Sequence, residues 1–490
     1  MSEMLLVLDE GTTSTRAMLF DRSGACRGSH AEMLTQHYPQ PGWVEHDAAE
    51  IWDKTLQCAR RMVDHAGGVD RIAAIGISNQ RETVVFWDRE TGEPLAPAIV
   101  WQDRRAAPLC RSLRTAGEEG AVQARTGLLL DPYFSGPKIA WAMQEWPQLA
   151  EAGERLAIGT VESWLVWKLT GGLHVTDATN ASRTAMMALG SGSWDDGLLS
   201  MFGVDRSMMP EIVDSAGQFG TTDVLGGTLP ICSIVGDQQA AAIGQSCLDK
   251  GDSKATYGTG AFVLTNSGTT PPRSRNRLLS TVAWQLGGKR SYALEGSIFV
   301  AGSLVKWLRD SVGMIESAEE TEALARSVDD NGGVYCVPAL SGIGAPWWEP
   351  EARGAISGLS FSATRAHIVR AALESIAHQT HDLMGVFAAD GAAWSGLRID
   401  GGMVANDWMA QDLSDLLDLP VERPRFAETT ALGAAMLAGV GCGWFDDLYQ
   451  ASAMRGGVDM FEPQMVKSQR RKRLDGWQHA VQSVLGAAHD

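Results

Sequence analysis

The sequence predicts an α/β fold of two domains, made by duplication and facing each other across a cleft. Three observations carry this prediction. Strand-like and helix-like stretches alternate along the chain, as in a sheet covered by helices. At 490 residues the chain is too long for one hydrophobic core. One kind of turn, rich in Gly and Thr between apolar runs, occurs twice, once in each half.

The first of these turns opens the chain. Apolar runs ending in Leu8-Asp9 and beginning at Ala17 flank Gly11-Thr12-Thr13-Ser14-Thr15-Arg16. They read as a β-hairpin turning on Gly11, a residue free to take φ > 0. Hydroxyls and freed backbone N–H groups at such a turn form an anion nest, and Arg16 adds positive charge. Asp9 would repel a bare phosphate, so its place at the strand end makes sense with a cation between them. The residues alone also allow a plain polar turn.

Further along, Ile72 to Ile77 reads as a buried strand that runs into Ser78-Asn79-Gln80-Arg81-Glu82-Thr83. Ala98 to Val100 leads in the same way into Trp101-Gln102-Asp103-Arg104-Arg105, and Glu162 to Leu169 has helical spacing. The apolar run Ile231 to Val235 precedes Gly236-Asp237-Gln238-Gln239, a carboxylate that opens a helix. The polar stretch Gln245 to Lys254 is where a domain break fits, giving residues 1–246 and 247–490. The second hairpin follows at once, Lys254-Ala-Thr-Tyr257-Gly258-Thr259-Gly260-Ala-Phe262. Ala366 to Phe387 has one apolar helical face, made of Ile368, Ala372, Ile376, Leu383 and Phe387. Leu397 to Ile399 is a strand ending in Asp400-Gly401-Gly402, and Thr429 to Ala438 is a small-residue helix suited to close packing. Lys467 to Ala487 reads as a surface helix whose Arg470-Arg-Lys-Arg473 run is a solvated face.

Composition removes several function classes. A net charge of −18 argues against nucleic-acid binding and against an anionic membrane surface. Any phosphate site must therefore be built locally. Seven scattered cysteines without a Cys-x-x-Cys suit a reducing cytosol and neither a disulfide framework nor a zinc site. No basic, apolar leader opens the chain, and the most apolar segment, Ala431 to Phe445, is short and broken by glycine. A cytoplasmic protein without membrane insertion is expected.

The candidate chemistry has plainer alternatives. Asp237 is placed to act as a base, or to cap its helix. Arg81 and Glu82 offer a donor and an acceptor to neighbouring hydroxyls of a polyol, or form a surface ion pair. Trp101 walls an apolar ligand face or belongs to the core. Glu374, His378 and His381 share one helix flank, which reads as solvated rather than as a metal site. The usual nucleotide fingerprints are absent: there is no Gly-x4-Gly-Lys-Ser/Thr, and Gly258-x-Gly260 lacks its third glycine.

Together these segments resemble the FGGY carbohydrate kinases, from Leu5 to about Phe445. The resemblance rests on Asp9-Glu-Gly-Thr-Thr-Ser14, Asn79-Gln-Arg-Glu-Thr83, Ile99-Val-Trp-Gln-Asp-Arg-Arg105 and Asp131-Pro-Tyr-Phe-Ser135 with Lys138. It rests equally on Val175-Thr-Asp-Ala-Thr-Asn-Ala-Ser-Arg-Thr184, Gly236-Asp-Gln-Gln-Ala240, Tyr257-Gly-Thr-Gly260, Ala293-Leu-Glu-Gly296 and Asp400-Gly-Gly402 with Asn406. It implies the duplicated actin/hexokinase/Hsp70-like (ribonuclease H-like) fold with an interdomain cleft, and phosphoryl transfer from ATP. The Asn-Gln-Arg-Glu-Thr and Trp-Gln-Asp-Arg-Arg strings resemble the members that act on glycerol. The resemblance implies that Arg81, Glu82, Tyr133, Asp237 and Gln238 hold glycerol, with Trp101 and Phe262 against its carbons. It implies that Thr12, Thr13, Ser14, Arg16, Thr259, Gly302, Gly402 and Asn406 hold the nucleotide. Asp9 and Asp237 would face Mg²⁺, Asp237 would be the base, and a homo-oligomer, dimer or tetramer, would form.

The chain departs from similar proteins at Lys306, near the expected nucleotide. The loop Thr221 to Leu229 lacks a basic residue and a His, so neither sugar-bisphosphate inhibition nor His phosphorylation is expected there. The rival readings are another FGGY polyol or ketose kinase and an actin- or Hsp70-like ATPase without a small-molecule acceptor.

Overall fold

A computed structural model describes residues 3–349 and 351–488. Two large mixed sheets dominate it. The first is built from β1 (Met4–Glu10), β2 (Ser14–Asp21), β3 (Cys26–Met33), β4 (Ile72–Asn79) and β5 (Leu229–Gly236), in the spatial order β3-β2-β1-β4-β5 with a short edge strand, Thr221–Thr222, beyond β5. β1 pairs antiparallel with β2 and parallel with β4, which is parallel to β5.

The second sheet repeats this plan. Its strands β6 (Asp252–Tyr257), β7 (Ala261–Gly268), β8 (Leu279–Leu286), β9 (Lys289–Ile298), β10 (Gly396–Asp400), β11 (Val421–Pro424) and β12 (Val458–Phe461) lie in the order β8-β9-β7-β6-β10-β11-β12. Within it β9-β7-β6-β10-β11 reproduces β3-β2-β1-β4-β5, with two antiparallel pairings followed by two parallel ones. The two Gly/Thr turns thus occupy equivalent places, β1–β2 and β6–β7.

The run Leu5-Leu-Val-Leu8 is continuous because its sheet is covered on both faces. Leu6 and Leu8 join Ile75, Ile77 and Ile231 beneath α1 (Ala48–Ala66) and α2 (Val161–Thr170). Leu5 and Val7, on the other face, meet Ala431, Leu432 and Ala435. Those three belong to α7 (Thr429–Gly441), which also crosses α3 (Asp237–Gly244). The crossing is tight: a Cβ on Gly433 would stand 1.8 Å from the Ala240 carbonyl oxygen, and one on Gly244 would stand 2.0 Å from that of Thr429. A helix from the second half thereby seats on the first sheet. The second sheet is covered by α5 (Arg365–Ala389) and α6 (Asp407–Leu417), with α4 (Gly302–Asp310) beside its hairpin.

Three expectations are corrected. Gly11 is not among the positive-φ glycines; its N–H donates to the Ser14 carbonyl at 3.0 Å, and a Cβ would meet that oxygen at 3.1 Å. A side chain there would be crowded by that carbonyl, not strained by handedness. The flank of α5 is buried, not solvated: Glu374 is held by Arg370 and Asn331, and His378 stacks on Trp477 with ring centroids 5.0 Å apart. On α8 (Lys467–Ala487), Arg470 and Arg473 turn inward onto Asp418 and Asp412, so only part of that basic run is solvated.

Candidate active site

The carboxyl ends of β1, β4 and β5 lie level, Glu10 beside Asn79 and Asn79 beside Gly236. The segments leaving these strands therefore converge, at the edge where parallel sheets collect ligands. Gln80 ties them together, donating its backbone N–H to Glu10 O at 2.7 Å and its side-chain amide to Gly11 O at 3.1 Å. Arg81-Glu82-Thr83 forms a three-residue turn closed by the Thr83 N–H on the Arg81 carbonyl, with Glu82 at φ +63°. Such a backbone costs about 1–3 kcal/mol and persists only where its surroundings impose it.

A cavity of about 50 Å³ opens at this point, lined by Thr12, Arg81, Glu82, Trp101, Tyr133, Asp237, Gln238 and Phe262. All seven side chains expected to hold the acceptor are brought together there. Thr12 joins them: its hydroxyl accepts from the Trp101 indole N–H at 2.9 Å, so it stands between the acceptor wall and the first turn. Trp101 meets Tyr133 and Phe262 edge to face, with centroids 5.6 and 6.5 Å away.

Asp237 begins α3, but the cap position is Gly236, so its carboxylate is not spent as a cap. Its Oδ1 lies 3.2 Å from Arg81 Nε and accepts the Gln238 N–H at 2.6 Å. Oδ2 has no partner among the described residues, and the side chain is 36% exposed into the cavity. Burial raises its pKa above the ordinary carboxylate value; Arg81 and Lys254 oppose that, and the nearby charge of Asp9 adds to it.

Arg81 and Glu82 are not a surface pair. Arg81, 2% exposed, donates twice to Glu295 of β9, at 2.7 and 3.1 Å. Glu82 accepts from Arg183 Nε at 2.5 Å, and Arg183 also lies 3.4 Å from Glu295. Burial works against the Arg81 charge, and Glu295 and Glu82 more than offset it, holding its pKa well above the usual range. Lys254 Nζ donates to Gln238 Oε1 at 2.6 Å and to Thr256. Lys138 lies beneath the cavity, donating to the Tyr133 and Phe134 carbonyls, and burial brings its pKa down to about 7.

A second cavity, about 550 Å³, lies at the other hairpin. Thr259, Gly302, Gly402 and Asn406 all line it, as does Lys306. Of its lining glycines only Gly302 is a steric necessity, since a Cβ there would stand 2.5 Å from Gly258 O, whereas one on Gly402 would meet nothing within 4 Å. Asn406 caps α6, accepting from the Met409 N–H at 2.9 Å. On the first turn Thr13 is exposed, Ser14 is half-buried, and Thr15 turns inward to Thr55. Arg16 reaches Asp9 at 2.6 Å and Glu428 of the second half at 2.5 Å.

Asp9 accepts from Ser78 and from Arg16. Together Asp9 and Asp237 supply two hard carboxylates, which suits Mg²⁺ carried by substrate phosphates and water. No cluster of three or more His, Cys, Asp or Glu among the described residues could hold a metal by itself. Glu295, Arg183, Lys254 and Gln239, whose Oε1 accepts from Arg81 at 3.1 Å, were not expected as supports of the site. Glu295 and Arg183 lie inside motifs that carried the resemblance, yet their roles depend on partners more than a hundred residues away.

Comparison with known proteins gives a consistent picture. The FGGY family of carbohydrate kinases matches in both parts, its N-terminal domain over residues 4–244 and its C-terminal domain over 253–442. Curated relatives include the glycerol kinase of Methylobacterium nodulans, 51% identical over 99% of this chain and 99% of its own length. That of Alcanivorax borkumensis is 51% identical over 98% of each. Among solved structures, the Plasmodium falciparum glycerol kinase with ADP superposes with a TM-score of 0.94 at 35% identity, over 98% of both chains. A xylulose kinase from Lactobacillus acidophilus, 20% identical with a TM-score of 0.89 over 99% of this chain and 98% of its own, shares the fold. No helix among the described residues is long and apolar enough to cross a membrane.

Proposed function

The chain belongs to the FGGY family of carbohydrate kinases, and on that premise we propose that it transfers the γ-phosphoryl group of ATP to glycerol, giving sn-glycerol 3-phosphate. The observation that carries the acceptor assignment is the 50 Å³ cavity, where Arg81, Glu82, Asp237 and Gln238 face an aromatic wall of Trp101, Tyr133 and Phe262. A three-carbon polyol needs such a lining: donors and acceptors for its hydroxyls and an apolar face for its carbons. An analogue lacking a hydroxyl would leave buried polar groups unpaired, which discriminates strongly.

Asp237 is the base. Its Oδ1 is occupied by Arg81 and the Gln238 N–H, so Oδ2 takes the hydroxyl proton as the new O–P bond forms and the bond to ADP breaks. Phosphoryl transfer passes through a loose transition state in which the acceptor needs little activation. Catalysis is then mainly positioning and charge stabilisation. Thr12, Thr13, Ser14 and Arg16 on one turn and Thr259 on the other hold the phosphates, while Gly302, Gly402 and Asn406 hold the rest of the nucleotide. Asp9 and Asp237 would face a Mg²⁺ ion carried by ATP, which would supply positive charge against that of the phosphates. Residues 1–246 and 247–490 act as the two lobes, and their closure excludes water as a competing acceptor. The protein works in the cytoplasm as a homo-oligomer, dimer or tetramer.

A panel of polyols and sugars at fixed Mg-ATP tests this. ADP release is expected to depend on glycerol and to collapse in Asp237→Asn with ATP binding retained. A larger response to a pentulose would assign a sister kinase, and equal release with and without glycerol would assign an ATPase.

A further inference from the structure

A third cavity, about 640 Å³, shares no lining residue with the two at the cleft. One wall comes from residues 120–127 and 189–190 of the first half, the other from residues 271–275 and Ser280 of the second. The walls are joined directly, by the Ser280 N–H on Gly127 O at 3.0 Å and by Arg277 with Glu119 at 3.3 Å.

Its lining contains three arginines, Arg125, Arg273 and Arg275, and no carboxylate. In a chain of net charge −18 that is a sharp local reversal. Of these arginines Arg125 already has a counter-ion, Asp195 at 3.1 Å, while the other nearby acids are committed elsewhere, Glu119 to Arg277 and Asp390 to Ser274, Asn276 and the Arg275 backbone N–H. The guanidinium groups of Arg273 and Arg275 have no hydrogen-bond or ion-pair partner among the described residues. Pro271-Pro272 stiffens the segment that carries them. Both side chains are exposed and keep their donors free, so an anion entering the cavity meets two uncommitted guanidinium groups. Guanidinium forks match phosphate oxygens in pairs.

We propose that this cavity is a second, non-catalytic site for a small polyanion carrying two phosphate groups. Its volume is that of a small-molecule pocket and leaves room for more than one anionic group. A nucleic acid does not suit it, because the site is concave and the surrounding protein strongly acidic. Because its walls come from both halves, an occupant ties the two together.

Calorimetric titration with inorganic pyrophosphate tests the assignment, in buffer free of divalent cations and with the nucleotide cleft saturated by ADP. One pyrophosphate per chain is expected to bind. The double variant R273A/R275A is expected to bind it at least tenfold more weakly, with ADP affinity and glycerol-dependent turnover unchanged. R273K/R275K, which keeps both charges, is expected to retain more affinity than the alanine pair. Absence of pyrophosphate binding once ADP is present, equal binding by the alanine pair, or equal losses in both pairs would overturn the proposal.

Discussion

Asp237 is held on one oxygen and open on the other, in a setting whose burial disfavours its charge. A base must be ionised, so a raised pKa moves the acid limb of activity upward. We expect log(kcat/KM) for glycerol to fall as pH drops through a value above the ordinary aspartate value of about 3.8. A limb at or below that value would remove Asp237 as the group reported. Glu10, next to Asp9, makes the opposite kind of prediction, about stability. Its Oε2 accepts from Thr55 at 2.8 Å while Oε1 is buried without a partner, and burial pushes its pKa up to about 8. Between the unfolded value near 4.5 and the folded value, the native state holds a proton that the unfolded state has lost. Stability from this group is therefore fully present below the unfolded pKa and declines as pH rises towards about 8. Glu10→Gln should remove that slope: its Tm advantage over the parent should grow from pH 5 to pH 8, and a constant offset would show that Glu10 does not titrate there.

At the scale of elements, the site depends on how closely α3 and α7 cross, because α3 carries Asp237 at its first turn. Gly433→Ala places a methyl 1.8 Å from a carbonyl oxygen, which backbone must yield to. Overpacking of this kind costs about 1–3 kcal/mol, and here it would also shift Asp237, the proposed base. We expect both a lower Tm and a lower kcat. Gly385→Ala, inside α5 with nothing within 4 Å of its added Cβ, is the control and should be neutral or stabilising by about 0.5–1 kcal/mol. Equal effects of the two substitutions on kcat would separate the helix crossing from catalysis. The hairpins, β4 with its loop and the strand before Asp237 were all legible in the sequence, because apolar runs ended by Gly, Thr or a carboxylate are local signals. The φ of Gly11 was not, since the turn is set by its N–H on the Ser14 carbonyl across it, which would crowd an added Cβ at 3.1 Å.

At the scale of the molecule, the acceptor site is assembled from both halves. Arg81 comes from the turn after β4 in the first half and its bidentate partner Glu295 from the second sheet, so on the proposed acceptor role of Arg81 one ion pair would link glycerol recognition to the meeting of the two halves. Stripping one charge from a buried pair is costly, about 3–5 kcal/mol, and Glu295→Gln softens this by keeping a hydrogen-bonding shape. We expect it to raise the KM for glycerol about tenfold or more and to leave the KM for ATP nearly unchanged. A matched rise in both would mean general loosening rather than lost support for Arg81. By itself the sequence determined the α/β class, the repeated turn, the family and the residues at strand ends, because each is written in a short stretch of chain. Only the tertiary structure decided which charges neutralise which: Arg81 hydrogen-bonded to Glu295 with Glu82 farther off at 4.0 Å, Glu82 with Arg183, Arg16 with Glu428, and Glu374 buried rather than solvated. Those pairings join residues up to 412 positions apart, and burial, which sets their strength, exists only once the chain has closed.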